Sequence, residues 1–248
     1  MYHLMDGATQ VASYRLKREA DKVAEEMGVE VEKEVLLEPV ENALHITKTM
    51  MNNILDKSGA THYTGYLSGP TKYRDKLATI KPYKGNRLQE KPVHYQAVRD
   101  YLIYIVGGKV TDGIEADDAL GIAQMQPFKE DDTIICSTDK DLDMIPGWHY
   151  NWGKEAKYWI DEETAYRNFY KQLLTGDAVD NIPGLEGVGK GGAETFLSKV
   201  SNPVEMEMVV LERYTLVHGG NARKIMQEIG SLLWIQREEG QVWGLGGF

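Results

Sequence analysis

The sequence predicts an α/β fold, with a central, mostly parallel sheet and a helical lobe at the C-terminal end. Three observations predict it. Short apolar stretches at Tyr2–Met5, Tyr63–Leu67 and Thr133–Ser137 alternate with longer segments of helical periodicity, the pattern of parallel strands joined by helices. Carboxylates follow two of these stretches, Asp6 after the first and Asp139, Asp141 and Asp143 after the third; in open α/β sheets, ligands collect at that edge. From Glu162 onward the periodicity is helical, interrupted by the glycine-rich turn Gly187-Val188-Gly189-Lys190-Gly191-Gly192-Ala193. The expected division is a core over 1–165 and a helical lobe over 166–248.

Composition narrows the class. A chain of 248 residues can bury a full core. Its 28 basic and 38 acidic residues give a formal charge of −10, the wrong overall sign for a nucleic-acid binder, so any basic surface must be local. Cys136 is the only cysteine, which rules out an internal disulfide and suits a reducing compartment. No apolar run approaches the roughly 18 residues of a membrane span, and Met1-Tyr2-His3 begins no signal peptide. The expectation is a cytoplasmic protein.

In chain order, Tyr2–Met5 reads as a strand ending in Asp6-Gly7. Ser13–Met27 reads as a charged helix, Val29–Leu37 as a strand or ribbon, and Val40–Leu55, after Pro39, as a second helix. Tyr63–Leu67 is the next strand, closed by Ser68-Gly69-Pro70. Lys72–Lys91 carries seven Lys/Arg against Asp75 and Glu90. Such a run attracts phosphates, and Tyr73 and Tyr83 add faces for stacking an unpaired base; read alone, it is also a solvated face. Pro92–Val106 is an amphipathic helix with Val93, Ala97, Tyr101, Tyr104 and Ile105 inward.

Glu115, Asp117 and Asp118 crowd a strand-to-helix junction, with helix continuing over Ala119–Ala123. One acid suits a helix N-terminus, but three repelling carboxylates are better explained by a bound cation. His149–Trp152 is a further strand and Glu162–Leu174 a helix. Asp177 and Asp180 are three apart, facing one way if on a helical turn; hard cations take such oxygen ligands. Read alone, G-D-A-V-D-N is also an ordinary turn and helix N-cap. The glycine turn that follows presents backbone N–H groups to phosphate and opens a helix over Ala193–Val200. Helices over Glu205–Val217 and Asn221–Gln236 and a tail, Val242–Phe248, packed on the core, complete the lobe.

The ordered set D-G (6–7), Y-K-G-N-R (83–87), E-A-D-D (115–118), D-K-D (139–141), G-D-A-V-D-N (176–181) and G-V-G-K-G-G-A (187–193) resembles the 5′-nuclease family. That family comprises flap endonucleases, the 5′→3′ exonuclease domains of bacterial polymerases and their bacteriophage relatives. The small size and K-P-V-H-Y after the basic run are most similar to the bacteriophage members. The resemblance implies a PIN-like nuclease domain, a helical arch over about 72–106, and a helix–three-turn–helix motif in the lobe. It implies a metal-dependent 5′→3′ exonuclease and flap endonuclease acting in DNA replication, primer removal or recombination.

Two Mg²⁺ are implied, with Mn²⁺ as a substitute, and K⁺ at the helix–three-turn–helix turn. One Mg²⁺ would be held by Asp6, Glu115, Asp117 and Asp118, the other by Asp139, Asp141, Asp177 and Asp180, leaving Asp143 to cap or face solvent. Lys84 and Arg87 would act on the scissile phosphate. Arg74, Lys76, Tyr83, Gly187, Gly189, Lys190 and Gly192 would bind DNA. The implied partners are duplex DNA with a 5′ end or flap, an RNA/DNA hybrid, and replication proteins. The chain departs from the family at Ala8 and at Ser68-Gly69, where relatives carry a further polar or acidic residue. Two other readings stand beside this one: a catalytically silent structure-specific DNA-binding protein, and a PIN-type ribonuclease.

Overall fold

The structure is a computed structural model that describes residues 39–87, 91–126 and 133–247. Asp6, the strand at Tyr2–Met5, the helix at Ser13–Met27 and the stretch Val29–Leu37 lie outside the described residues. In order, the elements are α1 (Val40–Ser58), β1 (Tyr66–Leu67), α2 (Arg74–Leu77), α3 (Tyr95–Asp100), β2 (Lys109–Val110), α4 (Ala116–Met125) and β3 (Ile134–Cys136). There follow β4 (Gly147–Asn151), β5 (Ala156–Ile160), α5 (Glu162–Thr175), β6 (Gly176–Asp177), β7 (Ile182–Pro183), α6 (Lys190–Leu197), α7 (Pro203–His218) and α8 (Ala222–Leu233). The described residues divide into two compact units, 39–67 with 91–110, and 68–87 with 111–126 and 133–247.

In the first unit, Pro39 precedes α1. Gly59 ends it in the left-handed region (φ 76°), its N–H closing onto the carbonyls of Leu55 and Asp56. Strands β1 and β2 pair in parallel, Tyr66 with Lys109 and Leu67 with Val110. After Asp100 the helix α3 widens into π-type turns over Tyr101–Ile105. This changes which side chains face inward. Val98 and Leu102 are buried, whereas Tyr104 and Ile105 are 79% and 73% exposed and Val93 is also exposed. The inward face expected from a regular 3.6-residue repeat is therefore corrected, because the wide turn shifts the residues after 101 out of register.

In the second unit, β3 runs parallel to β4 (Ile135 opposite His149) and β4 antiparallel to β5 (Trp148 opposite Trp159). Helix α5 starts where the Asp161 carboxylate accepts the N–H of Thr164 (2.7 Å). Helix α7 starts likewise at Asn202, whose side chain accepts from Glu205 N (2.9 Å), with Pro203 in its first turn. Phe169, Tyr170 and Leu173 of α5 pack with Met206, Val210 and Tyr214 of α7 and Met226 and Ile229 of α8. Each such side chain contributes about 1.5–3 kcal/mol on full burial. The tail packs back as expected: Trp243 is buried against α8, and a Cβ on Gly230 would sit 2.2 Å from its ring. Helix α6 begins at Lys190, three residues earlier than the sequence suggested, so Gly191 and Gly192 lie in its first turn.

Candidate active site

Arg74 is the node that fixes the acidic end of α4. It was expected on a DNA-binding surface, but it is only 3% exposed. Its guanidinium grips the Asp118 carboxylate with two nitrogens (2.6 and 2.7 Å) and reaches Glu115 at 3.2 Å. It also donates to the carbonyls of Leu232 (2.9 Å) and Trp234 (2.5 Å), which the end of α8 leaves without helical partners. Burial alone would lower its pKa, but the bonds and charge of Asp118 hold it above the ordinary value. Arg74 therefore cannot touch a phosphate. The same geometry corrects the expectation that Asp118 is a metal ligand. Asp118 is wholly buried, and its oxygens also accept the N–H groups of Glu115 (3.0 Å) and Gln236 (3.1 Å). It closes a capping box with Glu115 at the start of α4.

Two sequence-distant turns meet above Glu115. Lys84 N donates to the Asp180 carbonyl (2.9 Å), Asn86 Nδ2 to that of Ala178 (2.7 Å), and Asn181 Nδ2 to that of Pro82 (2.8 Å). This docking carries Lys84 Nζ to 2.6 Å from Glu115 Oε1 and 3.4 Å from Asp180 Oδ2. The Tyr83 hydroxyl donates to Glu115 (2.6 Å) and lies within reach of Asp180 (3.2 Å). Arg87 pairs with the other oxygen of Asp180. Burial would raise the Glu115 pKa, but Lys84 and then Arg74 outweigh it and hold the carboxyl below its ordinary value. Tyr83 was expected to stack a base. Instead its hydroxyl holds the acids and Lys84 Nζ lies 4.9 Å from its ring centroid.

Asp177 and Asp180 do not share a helical turn. They lie on a tight β6–β7 reversal, in which Gly176 pairs with Pro183 and Asp177 with Ile182. Gly176 and Gly184 permit it: a Cβ on Gly176 would lie 2.3 Å from Gly184 N, and one on Gly184 2.2 Å from the Thr175 carbonyl carbon. Asp177 Oδ1 takes the N–H groups of Val179 (2.8 Å) and Asp180 (3.2 Å), bending the turn around the carboxylate. Nearby, Asp139 caps the 3₁₀ turn Lys140–Met144 by accepting Asp141 N (2.9 Å). Lys140 Nζ stands 2.7 Å from Asp141 and 3.7 Å from Asp177. Asp143 turns away to accept the Tyr158 hydroxyl (2.8 Å). The structure thus gathers Glu115, Asp117, Asp139, Asp141, Asp177 and Asp180 with Lys84 and Arg87.

Whether this set suits a metal is a question of donors and charge. Among the described residues, no group of three or more His, Cys, Asp or Glu side chains is arranged to hold an ion; ammonium groups of Lys84 and Lys140 lie against the acids. The donor chemistry nevertheless fits a hard divalent cation, which takes carboxylate oxygens. Asp117 reports the uncompensated charge: burial, then Asp139 and Glu115, push its pKa up to about 6. Asp141 is raised too, by burial foremost. Carboxylates under such repulsion gain most from a cation.

The glycine turn lies on the surface of the same unit. Gly187, Gly189, Lys190, Gly191 and Gly192 are all exposed, and a Cβ on Gly187, Gly189 or Gly191 would meet nothing within 4 Å. No side chain caps α6, so its first N–H groups face outward. Lys76 is exposed as well. Three contributors were not anticipated. Gln172 links Asp141 and Asp177, Lys140 sits among the acids, and the Ser68 hydroxyl accepts Ala116 N (2.9 Å) at the start of α4. Ser68 thus serves the helix terminus where relatives were expected to place an acid.

No protein-family model matches the chain. In sequence it is similar to DNA polymerase I of Pseudomonas aeruginosa, 30% identical over 166 residues that cover 58% of this chain and 17% of the polymerase. It is similar also to a 5′-3′ exonuclease of Mycoplasmopsis pulmonis, 26% identical over 63% of this chain and 57% of that protein. The match thus spans less than two thirds of either relative's length. Among solved structures, the T5 5′-exonuclease with divalent zinc ions superposes with a TM-score of 0.54 at 18% identity, over 75% of this chain and 76% of that one. A T5 flap endonuclease in a pseudo-enzyme-product complex with DNA and metal ions gives 0.51 at 15% identity, over 77% and 90%. The chain has the α/β fold of the T5 5′-exonuclease and resembles, in sequence, bacterial DNA polymerase I and a 5′-3′ exonuclease.

Proposed function

We propose that this chain is a divalent-metal-dependent 5′→3′ exonuclease and flap endonuclease that hydrolyses DNA phosphodiester bonds. The observation that carries the reading is the convergence of six carboxylates with Lys84 and Arg87, in the same unit as an exposed glycine turn. The sequence and fold likenesses to nucleases support it.

Asp117, Asp139, Asp141 and Asp177 would hold Mg²⁺, with Mn²⁺ as a substitute, and Asp6 would join them. Such ions activate water and neutralise the leaving oxygen in phosphodiester displacement. The chain's own residues do the rest. Lys84 and Arg87, now paired with Glu115 and Asp180, are cations that an incoming phosphate can draw away from those acids, so they position the scissile group and offset its charge. Tyr83 keeps the Glu115 carboxylate facing Lys84. The N-terminus of α6 and Lys190 grip duplex phosphates without reading sequence, since backbone contacts carry no base information, and Lys76 adds a further phosphate contact. K⁺ at that turn, an RNA/DNA hybrid as a second substrate, replication proteins as partners and a cytoplasmic setting belong to the same proposal. Among the described residues no helix is long and apolar enough to cross a membrane.

The test is cleavage of a 5′-labelled flap and a blunt duplex, with Mg²⁺ and with EDTA. Release of short 5′ products with Mg²⁺ alone supports the proposal. Tight binding without cleavage, or cleavage in excess EDTA, refutes it.

A further inference from the structure

We propose that Gln172 is a positioning residue that holds Asp141 and Asp177 at a fixed spacing, so that the two carboxylates meet a divalent cation as a preformed pair. The inference rests on the nuclease reading above only in naming these acids as ligands. Asp141 sits in the 3₁₀ turn after β3, and Asp177 at the start of the β6–β7 reversal. Nothing in local sequence sets their separation. Gln172 does: its single amide nitrogen donates to Asp141 Oδ1 at 3.1 Å and to Asp177 Oδ2 at 2.8 Å. One NH₂ has two hydrogens, which match the two acceptors.

The clamp has a firm base. Gln172 is buried at 9% exposure on α5, between the core residues Phe169, Tyr170, Leu173 and Leu174. Asp177 is anchored at its other oxygen by Val179 N and Asp180 N, so the amide holds Asp141 to a fixed point. Lys140 also reaches both acids, but it is 69% exposed and charged. An ammonium neutralises the pair and competes with an incoming cation. A neutral amide orders the same oxygens and leaves their charge for the ion. Partners that orient ligands in this way typically set about 10–100-fold in metal affinity or activity.

The test is Mn²⁺ binding to the metal-free protein, read from the free-ion electron paramagnetic resonance signal. Two variants are compared: Gln172→Met, which keeps length without the donors, and Gln172→Asn, which keeps the amide but is a methylene too short to hold both acids. Both should weaken Mn²⁺ binding about 10-fold or more. The Mn²⁺ midpoint for cleavage should shift equally, with the rate at saturating Mn²⁺ and the affinity for DNA in EDTA within about twofold. In an Asp141→Ala background, which removes the acceptor, Gln172→Met should weaken Mn²⁺ binding by less than about half the factor it does in the wild type, because the clamp has already lost one of its two acids. Wild-type Mn²⁺ affinity in either variant, or an undiminished loss in the Asp141→Ala background, overturns the proposal. If the wild type binds Mn²⁺ but cuts no DNA, the nuclease reading falls and the binding series still judges the clamp.

Discussion

Replacing Arg74 by methionine should cost far more stability than any DNA contact could explain. The side chain is 3% exposed and makes five hydrogen bonds, two to Asp118, one to Glu115 and two to the carbonyls of Leu232 and Trp234. Removing it leaves Asp118, which has no solvent exposure, as an uncompensated buried charge. Breaking a buried pair in this way costs about 3–5 kcal/mol, a large part of the roughly 5–15 kcal/mol that holds a domain folded. At about 2–4 °C per kcal/mol for a chain of this size, the midpoint of thermal unfolding should fall by roughly 6–20 °C. Adding Asp118→Asn to Arg74→Met should restore part of the loss, because the stranded charge is gone. Urea unfolding followed by circular dichroism measures both effects, and filter binding at several salt concentrations measures DNA affinity. A variant within about 1 kcal/mol of wild type that binds DNA with a salt slope reduced by about one would show Arg74 to be a phosphate contact, and would refute the buried-node account.

Three further outcomes follow from the same geometry. Lys84→Ala should lower the single-turnover cleavage rate at saturating enzyme, whereas Lys76→Ala should leave that rate alone and reduce the salt slope of DNA binding by up to about one; a Lys84→Ala enzyme of unchanged rate would contradict the first. Gly189→Val should keep its thermal midpoint, because Gly189 has φ −92° and open space for a side chain, while duplex binding falls several-fold as the valine covers the α6 N–H groups. Gly187→Val should also lose stability, since Gly187 is at φ 77°, and equal stability of the two would contradict the assigned backbone. The last concerns pH. Burial lowers the His149 pKa, so in the window below the unfolded value of about 6.5 the unfolded chain binds the extra proton and stability falls as pH falls. His149→Gln, which keeps a donor for the Ile145 carbonyl, should flatten urea midpoints between pH 7 and 5; an unaltered slope would remove His149 from the account.

The spacing of acids was legible in the sequence because charge clusters at strand ends are local features. Spacing alone did not bring Asp139 and Asp141 to Asp177 and Asp180; that grouping was implied only by the family resemblance, and the contacts of Gln172 and Lys140 link Asp141 to Asp177. Of the two backbones open to Asp177 and Asp180, a helical turn and an ordinary turn, the structure has the turn, a reversal bracketed by Gly176 (φ 69°) and Asn181 (φ 59°). Glycine and asparagine flanking two aspartates are turn residues, a signal available from the start. Arg74 could not be read correctly from its neighbours. It lies in a run of lysines, and its carbonyl partners are more than 150 residues away. Tyr104 and Ile105 escaped prediction because a π-type turn breaks the repeat on which an amphipathic face is counted. Gln172 gave no signal at all, since a neutral amide in a helix looks like any solvated position until the acids it joins have been brought to it.

The dependence of Arg74 on Leu232 and Trp234 sets an order on assembly. During synthesis Arg74 emerges well before Glu115 and Asp118, and the carbonyls that complete its shell arrive only after α8 has been made. The Tyr83–Asn86 turn likewise waits for Ala178–Asn181, about a hundred residues later in the chain. A nascent chain therefore has its first carboxylates and its basic turn long before either can be held in place, and closing such distant pairs is slow. The buried Arg74 node is thus completed late, only when the end of α8 brings the carbonyls of Leu232 and Trp234 to it.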